Sequence, residues 1–452
     1  MKKIILLFTV FLFTTALVAQ NVGIGTMAPA FKLDVSGGSI NTDSLYRIGG
    51  SAVLAVKSNG STFVGINSGI AVTTGSSNTG TGYNTLLSNT TGNWNSAFGM
   101  DALHSNITGN YNTSSGVRSL YFNSTGQWNV ANGYEALLLN TNGTSNTAIG
   151  TSALYSNTGG SYNSAMGAFS LYYNTTGVNN AASGTSALYY NTTGSYNTAN
   201  GYGALLRNVN GWYNVADGNL AMEANTSGTG NTALGYFSLS LTTASNYNTA
   251  VGYKAGHGFN HGWNNTLLGA ESNVQGTDLY NSIAIGSLAK ATASNQARIG
   301  NTSTISIGGY MGWTNISDGR FKKNIREDVK GIDFIMKLRP VTYQLDIFPL
   351  SKKMNEPTDK LVESGRQASM LEKENLIQTG FIAQEVEKAA RESGYDFRAV
   401  DKPKNENDLY GLRYAEFVVP LVKAVQEQQN IIMQQQVQID ELKKAIRELR
   451  KQ

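Results

Sequence analysis

NTAIGTSALYSNTGGSY, residues 146–162, is one copy of a unit that recurs through the middle of this chain with a step of 17 residues. Fourteen glycines keep this step, at positions 65, 82, 99, 116, 133, 150, 167, 184, 201, 218, 235, 252, 269 and 286. Asparagines keep it from Asn78 to Asn265 and leucines from Leu86 to Leu205, and a second glycine column runs from Gly92 to Gly228. A fixed period this short predicts that each unit is one rung of a solenoid.

The unit itself indicates how a rung is built. Two strand-length pieces, Asn146–Gly150 and Ala153–Ser156, are separated by turn residues, so we predict two strands per rung. Leucines and alanines should stack into a thin apolar core, glycines should supply corners with positive φ, and asparagines should form amide ladders from rung to rung. At about 4.8 Å per rung, the repeat predicts a rod of roughly 60 Å.

The predicted core is meagre for a free-standing rod. One leucine and one or two alanines per rung bury little apolar area, and so little burial stabilises a single chain only marginally. Three rods packed side by side would bury a further face. The fold class we predict is therefore mainly β, a trimeric β-solenoid with 17-residue rungs, followed by a small α/β domain and a C-terminal coiled coil.

Composition excludes several classes of function. Of 452 residues 50 are glycine, 14% are charged and none is cysteine, and the formal net charge is +4. The charge is too small and scattered to favour nucleic acid, and the absence of cysteine excludes disulfides and thiolate metal sites. His257 and His261 lie four residues apart in a glycine-rich stretch that is a poor helix. We expect no metal and no cofactor.

The N-terminus reads as a targeting signal. Lys2 and Lys3 precede the apolar run Ile4–Val18, which is followed by Ala19 and Gln20. This pattern predicts a secretory signal peptide over residues 1–20, and no later segment is apolar and long enough to be a transmembrane anchor. The protein is expected to be exported, to the extracellular space or the bacterial cell surface.

Composition also places the domain boundaries. The rod is predicted over 65–300, behind an N-terminal cap or attachment segment over 21–64, with further closing strands at Ala297–Gly300 and Thr304–Gly308 and a linker over 301–316. From residue 317 onward the chain is more charged and holds five of its six prolines. A small domain is predicted over 317–413, with residues 347–378 as an exposed polar loop, and the terminal helix over 414–452.

Apolar residues in the terminal helix alternate four and three apart, which is the heptad pattern of a coiled coil. Ile and Val at a with Leu at d favour a dimer, but glutamine occupies two d positions, and Ile431 and Ala445 at g widen the seam. A wider seam suits three strands better, and the trimer that we predict depends mostly on the family resemblance of this region, which is described next. The seam consists of Leu421, Val425, Gln428, Ile432, Gln435, Ile439, Leu442, Ile446 and Leu449.

Four motifs in order connect the C-terminal region to a known family: SDGRFKKNI at 317–325, LRPVTY at 338–343, GFIAQEV at 380–386 and YGLRY at 410–414. Together with the terminal helix, they resemble the intramolecular chaperone domain of phage tail spikes and endosialidases, peptidase family S74. The repeat before it resembles the β-roll head repeats of trimeric bacterial adhesins. The first resemblance implies a chaperone that trimerises a fibre, cuts itself off before the motif serine and is released.

The resemblance implies that Ser317 is the nucleophile, that it attacks the carbonyl of Ile316, and that Lys322 is the general base, with Asp318 in a supporting role. A lysine can take a proton only when it is neutral, which burial in a trimer would favour. A spacing of five fits neither a helix face nor a strand face, so the pair must meet in a bend or across protomers. The alternative is that Ser317 or Asp318 merely caps a helix.

Aromatic residues form a column that could stack on a surface glycan or contact a host receptor, or could pack from rung to rung or across the trimer. Few carboxylates accompany them in the repeat, and no rung offers the close pair that a glycosidase needs. A fibre that degrades glycans and a purely structural, tail-fibre-like protein with an uncut chaperone are the alternative functions. The candidate glycan contacts are Trp94, Tyr111, Trp128, Tyr162, Tyr196, Tyr213 and Tyr247.

Overall fold

A computed structural model describes residues 22–24, 33–35, 45–259, 261–356 and 364–451. The predicted signal peptide, residues 1–20, lies outside these ranges, as does much of the predicted attachment segment. Two short strands of that segment, β1 (Val22–Ile24) and β2 (Leu33–Val35), pair in parallel.

A parallel sheet of three-residue strands forms the rod. It begins with an antiparallel hairpin, β3 (Leu45–Ile48) and β4 (Ser51–Val56), whose second strand pairs with the first rung. Each later strand pairs with the equivalent strand one unit along, for example Ala148 with Ala165. The strands are β5 (Thr62–Val64), β6 (Thr79–Thr81), β7 (Ser96–Phe98), β8 (Thr113–Ser115), β9 (Val130–Asn132), β10 (Thr147–Ile149), β11 (Ser164–Met166), β12 (Ala181–Ser183), β13 (Thr198–Asn200), β14 (Val215–Asp217), β15 (Thr232–Leu234) and β16 (Thr249–Val251).

The last rungs are more elaborate. Here the main sheet continues through three strands and two short side sheets appear, β17 with β20 and β19 with β22. The expected strand at Ala297–Gly300 is present, whereas Thr304–Gly308 forms none. The strands are β17 (Gly262–Trp263), β18 (Thr266–Leu268), β19 (Asn273–Val274), β20 (Leu279–Tyr280), β21 (Ile283–Ile285), β22 (Lys290–Ala291) and β23 (Ala297–Ile299).

A typical rung contains one strand, not the two that we predicted. The predicted strand Asn146–Gly150 is β10, but Ala153–Ser156 is a run of turns. Ser152 and Leu154 have φ angles of 52° and 53°, a left-handed conformation that costs roughly 1–2 kcal/mol for a residue with a side chain. The chain therefore curls inward at Leu154, whose side chain is fully buried.

Much of the rod's interior consists of asparagine side chains rather than hydrocarbon. Asn163 and its equivalents are almost completely buried, as are those of a second asparagine column at Asn157. The Asn163 side chain donates to Asn146 Oδ1 at 3.2 Å and to the Gly177 carbonyl at 2.8 Å. The expected amide ladder is present, and it satisfies buried polar groups from rung to rung.

The two glycine columns serve different purposes. Gly150 and its equivalents have positive φ, 136° in this case, as predicted for corners. Gly160 in the second column has no such angle; instead, a side chain there would collide with Asn157 Oδ1 and the Gly177 carbonyl oxygen. The second column is glycine because the neighbouring rung and the asparagine ladder leave no space.

The C-terminal region is small and largely helical. Its strands form two antiparallel pairs, β24 (Val341–Tyr343) with β25 (Gln378–Gly380) and β26 (Val400–Asp401) with β27 (Gly411–Leu412). Phe334, Val386, Phe397 and Phe417 form its apolar core. The helices are α1 (Ile332–Ile335), α2 (Ile347–Lys353), α3 (Ser364–Asn375), α4 (Ala383–Glu392) and α5 (Val418–Leu449), with 3₁₀ turns at Gly319–Phe321 and Tyr414–Phe417.

Two details of this region differ from expectation. The segment 347–378, predicted as a loop, contains α2 and α3, because Ile347 and Met370 are buried and give these polar helices an apolar contact. The terminal α-helix begins at Val418, after the 3₁₀ turn at Tyr414. Within the ranges described above, no helix is long and apolar enough to cross a bilayer.

Candidate functional site

Ser317 and Lys322 meet within one chain. The backbone turns tightly at Gly319–Phe321, where Phe321 N donates to the Asp318 carbonyl and Lys322 N to the Gly319 carbonyl. This 3₁₀ turn brings Lys322 Nζ to within 2.7 Å of Ser317 Oγ, to which it donates a hydrogen bond. The spacing of five residues allowed the pair to meet either in a bend or across protomers, and in the structure the two residues meet in a bend.

Asp318 holds the turn in place. Its carboxylate accepts a hydrogen bond from Arg320 N at 3.0 Å and forms an ion pair with the Arg320 guanidinium at 2.6 Å. These hydrogen bonds, from the Arg320 side chain first and its backbone second, lower the pKa of Asp318. The capping role that we weighed against catalysis is thus filled by Asp318, which leaves the Ser317 hydroxyl to contact Lys322.

The surroundings of the pair are open and unusually apolar. Ser317 and Lys322 are exposed, and Ile316, on the other side of the predicted scissile bond, is 95% exposed. Large apolar side chains seldom stand free in water in such a run. The exposed neighbours are Tyr310, Met311, Trp313, Phe321 and Ile325.

Three of the four C-terminal motifs, those after residue 325, contact one another although they are far apart in the chain. Gly380 lies against the Tyr414 hydroxyl, which leaves no space for a side chain at that position, and the same hydroxyl accepts a hydrogen bond from Phe381 N at 3.1 Å. Arg339 Nε donates to Glu385 Oε2 at 3.0 Å. The motif residues after 325 therefore hold the domain together.

Comparison with known proteins bears on this region. Residues 317–395 match the family Peptidase_S74, described as the chaperone of endosialidase. No curated protein matches the chain. The chain therefore contains a β-solenoid of about 14 turns followed by a region that matches the chaperone of endosialidase. This match agrees with the resemblance that the four motifs predicted. This combination supports a fibre-like protein with an intramolecular chaperone.

The predicted glycan column lies on the surface of the rod, and several of its rings stack on one another. Trp94 and Tyr111 stack at 4.8 Å between ring centroids, and Tyr111 and Trp128 at 5.9 Å. Stacked rings cover each other's faces, which are what a sugar would need. Tyr162 and Tyr247, each 63% exposed, lack an aromatic residue one unit away in either direction. A glycan contact stays a prediction.

No metal site emerges in the part of the chain that the structure describes, where no group of three or more His, Asp or Glu side chains is placed to hold an ion. Several carboxylates of the repeat have partners within the protein. Glu135 forms an ion pair with Arg118, and Asp101 accepts a hydrogen bond from Asn84.

Sequence reasoning missed one group of residues. Glu356 and Asp408, in polar segments without motif or period, are buried where the C-terminal domain meets the rod. A single carboxylate in a polar segment resembles any solvated residue, so the sequence carries no signal for it.

Proposed function

We propose that this protein is an exported fibre whose C-terminal domain assembles three chains and then cuts the chain between Ile316 and Ser317. The family match supports the chaperone part of this proposal, and the solenoid supports the fibre part. Identical rungs can pair out of register, so a domain that first aligns three chain ends would remove that freedom before the rods form.

The observation that carries the assembly is the apolar stripe of α5. This helix has 32 residues, which corresponds to about 48 Å, and only Pro420 and Ala424 are buried in it. The heptad residues Val425, Ile432 and Ile439 are 63%, 49% and 45% exposed. A helix of this length with a free apolar stripe is stabilised by partner helices, and two further copies of α5 would supply them.

The contact between Lys322 and Ser317 supports the cut. With a neutral lysine, Lys322 Nζ would accept the Ser317 hydroxyl proton as Oγ attacks the carbonyl carbon of Ile316. The Ile316–Ser317 amide bond would break as Lys322 returns this proton to the Ser317 nitrogen, which becomes a free amine. The Ile316 acyl group would then be an ester on Oγ, and water would hydrolyse it to a carboxylate and restore the hydroxyl. Burial favours the neutral form of a lysine, and the exposed apolar residues around the pair are those that partner chains would cover. The cut would then follow assembly.

A variant set tests the cut. Wild-type protein should yield, on a denaturing gel, a fragment whose N-terminal sequence begins at Ser317. The Ser317→Ala and Lys322→Gln variants should stay whole, because one lacks the nucleophile and the other the base. Lys323→Gln is the matched control and should be cut like wild type. Equal cutting in Lys322→Gln, or an uncut wild-type trimer, would refute the proposed dyad.

A further inference from the structure

The C-terminal domain contacts the end of the rod through two buried carboxylates. The first is Glu356, just after α2, whose side chain is 1% exposed. It accepts hydrogen bonds from Thr302 N at 3.1 Å and from Thr302 Oγ1 at 2.5 Å. Thr302 follows β23, the last strand of the rod, so this contact joins the domain to the terminal rung.

The second carboxylate is Asp408, in the loop between β26 and β27, with a side chain that is 4% exposed. It accepts a hydrogen bond from Thr292 Oγ1 at 2.6 Å and another from Gln296 Nε2 at 3.3 Å. Asn405, in the same loop, donates to the Thr292 carbonyl at 2.8 Å. Both donors to Asp408 belong to the segment between β22 and β23.

Each carboxylate is also fixed from its own side of the interface. Glu356 accepts from Ser351 Oγ at 3.2 Å and forms an ion pair with Arg366. Asp408 accepts from the backbone amides of Lys404 and Leu409. The domain therefore presents two oriented, desolvated anions, and threonines of the rod complete their hydrogen bonding. Removing the rod would leave buried acceptors partly unsatisfied, which is costly.

This arrangement lies at the C-terminal end of the solenoid, next to its last strand. A terminal rung exposes unpaired backbone groups and needs a cap. The interface is separate from the predicted scissile bond, because Thr292, Gln296 and Thr302 precede that bond in the chain and both carboxylates follow it. The linker itself is exposed at Gly308 and Gly309, and a side chain there would meet no backbone or side-chain atom closer than 3.6 Å.

We propose that Glu356 and Asp408 form a docking surface for the last rungs of the rod, and that this surface holds the domain in place after the linker has been severed. A cut alone would then not release the chaperone, contrary to our expectation from the resemblance. The role after a self-made cut rests on the proposed function; the docking surface itself does not.

The test cuts the linker with an added protease instead of relying on self-cleavage. Ser317→Ala protein, which cannot cut itself by the proposed route, carries the recognition sequence of a site-specific protease between Gly308 and Gly309. After digestion, rod and C-terminal piece should elute together in gel filtration. With Glu356→Gln and Asp408→Asn combined, they should separate, with dissociation about tenfold faster per carboxylate lost.

Two further variants keep the test decisive. Thr292→Val with Thr302→Val removes the two hydroxyl donors of the rod side, one for each carboxylate. It leaves the domain's own contacts intact, so separation there cannot come from a misfolded domain. Glu372→Gln, an exposed carboxylate on α3, is the matched control and should stay bound. Separation of the otherwise unmodified pieces, or unchanged binding in both multiple variants, would overturn the proposal. Failure of self-cutting in wild type would count against the proposed dyad alone.

Discussion

Replacing Asn163 with alanine tests whether the amide ladder stabilises the rod. Asn163 lies in the middle of the column and is 1% exposed. Its Oδ1 accepts from Asn180 N at 3.0 Å and from Asn180 Nδ2 at 3.1 Å. Asn163→Ala removes this acceptor and leaves both donors without it in the interior.

The magnitude follows from which groups lose their partners. Gly177 O keeps a hydrogen bond from Asn174, and Asn146 Oδ1 keeps one from Asn163 N. Asn180 N–H and one Nδ2 hydrogen are orphaned. A buried unsatisfied group costs about 1–3 kcal/mol, so two should lower the free energy of unfolding by about 2–6 kcal/mol.

Hydrogen exchange followed by mass spectrometry is the suitable assay, because a repeat protein can open locally. Asn163→Ala should lose protection in the rungs around 163–183, and the midpoint of urea unfolding should fall. Asn142→Ala, at an exposed position, is the control and should change stability by less than about 0.5 kcal/mol. If the two variants behaved alike, the ladder would be a by-product of the repeat.

Three further predictions concern the rod and its cap. Asn225 Oδ1 is buried without a hydrogen-bond partner because the next position in its column is Thr242. Thr242→Asn combined with Ser245→Gly should therefore raise the free energy of unfolding by about 1 kcal/mol. Thr242→Asn alone should not, because the Ser245 side chain would collide with the new amide. Gly150→Ala places a Cβ 2.7 Å from the Gly167 carbonyl at a φ of 136° and should lower the thermal midpoint by several degrees, unlike Gly308→Ala in the open linker. Burial alone would raise the pKa of Asp408, but hydrogen bonds from Thr292 and its neighbours hold it below its usual value, with Arg298 and Lys404 as the cations nearby. Its stabilising contribution should therefore be present above its unfolded-state pKa of about 3.9 and disappear as pH falls through the lower folded-state pKa, so the docking advantage of wild type over Asp408→Asn should shrink in this acid range.

Much of the rod could be predicted because its signal is repeated. A glycine such as Gly150 could be random once, but not in fourteen units. The strand predicted at Ala153–Ser156 was wrong for a physical reason. A short piece between turn residues suits a strand, and the residue types do not indicate that Ser152 and Leu154 adopt left-handed angles.

The sequence indicated the candidate pair but not the geometry in which the two residues meet. The motif singled out Ser317 and Lys322, yet the 3₁₀ turn that joins them depends on the Asp318 cap. The same residues are compatible with several other turn types, so the sequence alone does not specify this turn. The helices within 347–378 and the docking of Glu356 depend on tertiary contacts. They could not be predicted, because these polar segments have no apolar periodicity that would indicate a buried face.

The most direct test of the whole account is the number of chains in the assembled particle. Light scattering coupled to gel filtration, applied to the Ser317→Ala protein, should give three chains per particle, and changing Ile432, Ile439 and Ile446 to serine should abolish that assembly and prevent ordered rod formation. A single-chain particle with a fully formed rod would contradict the claim that α5 aligns the chains before the solenoid folds.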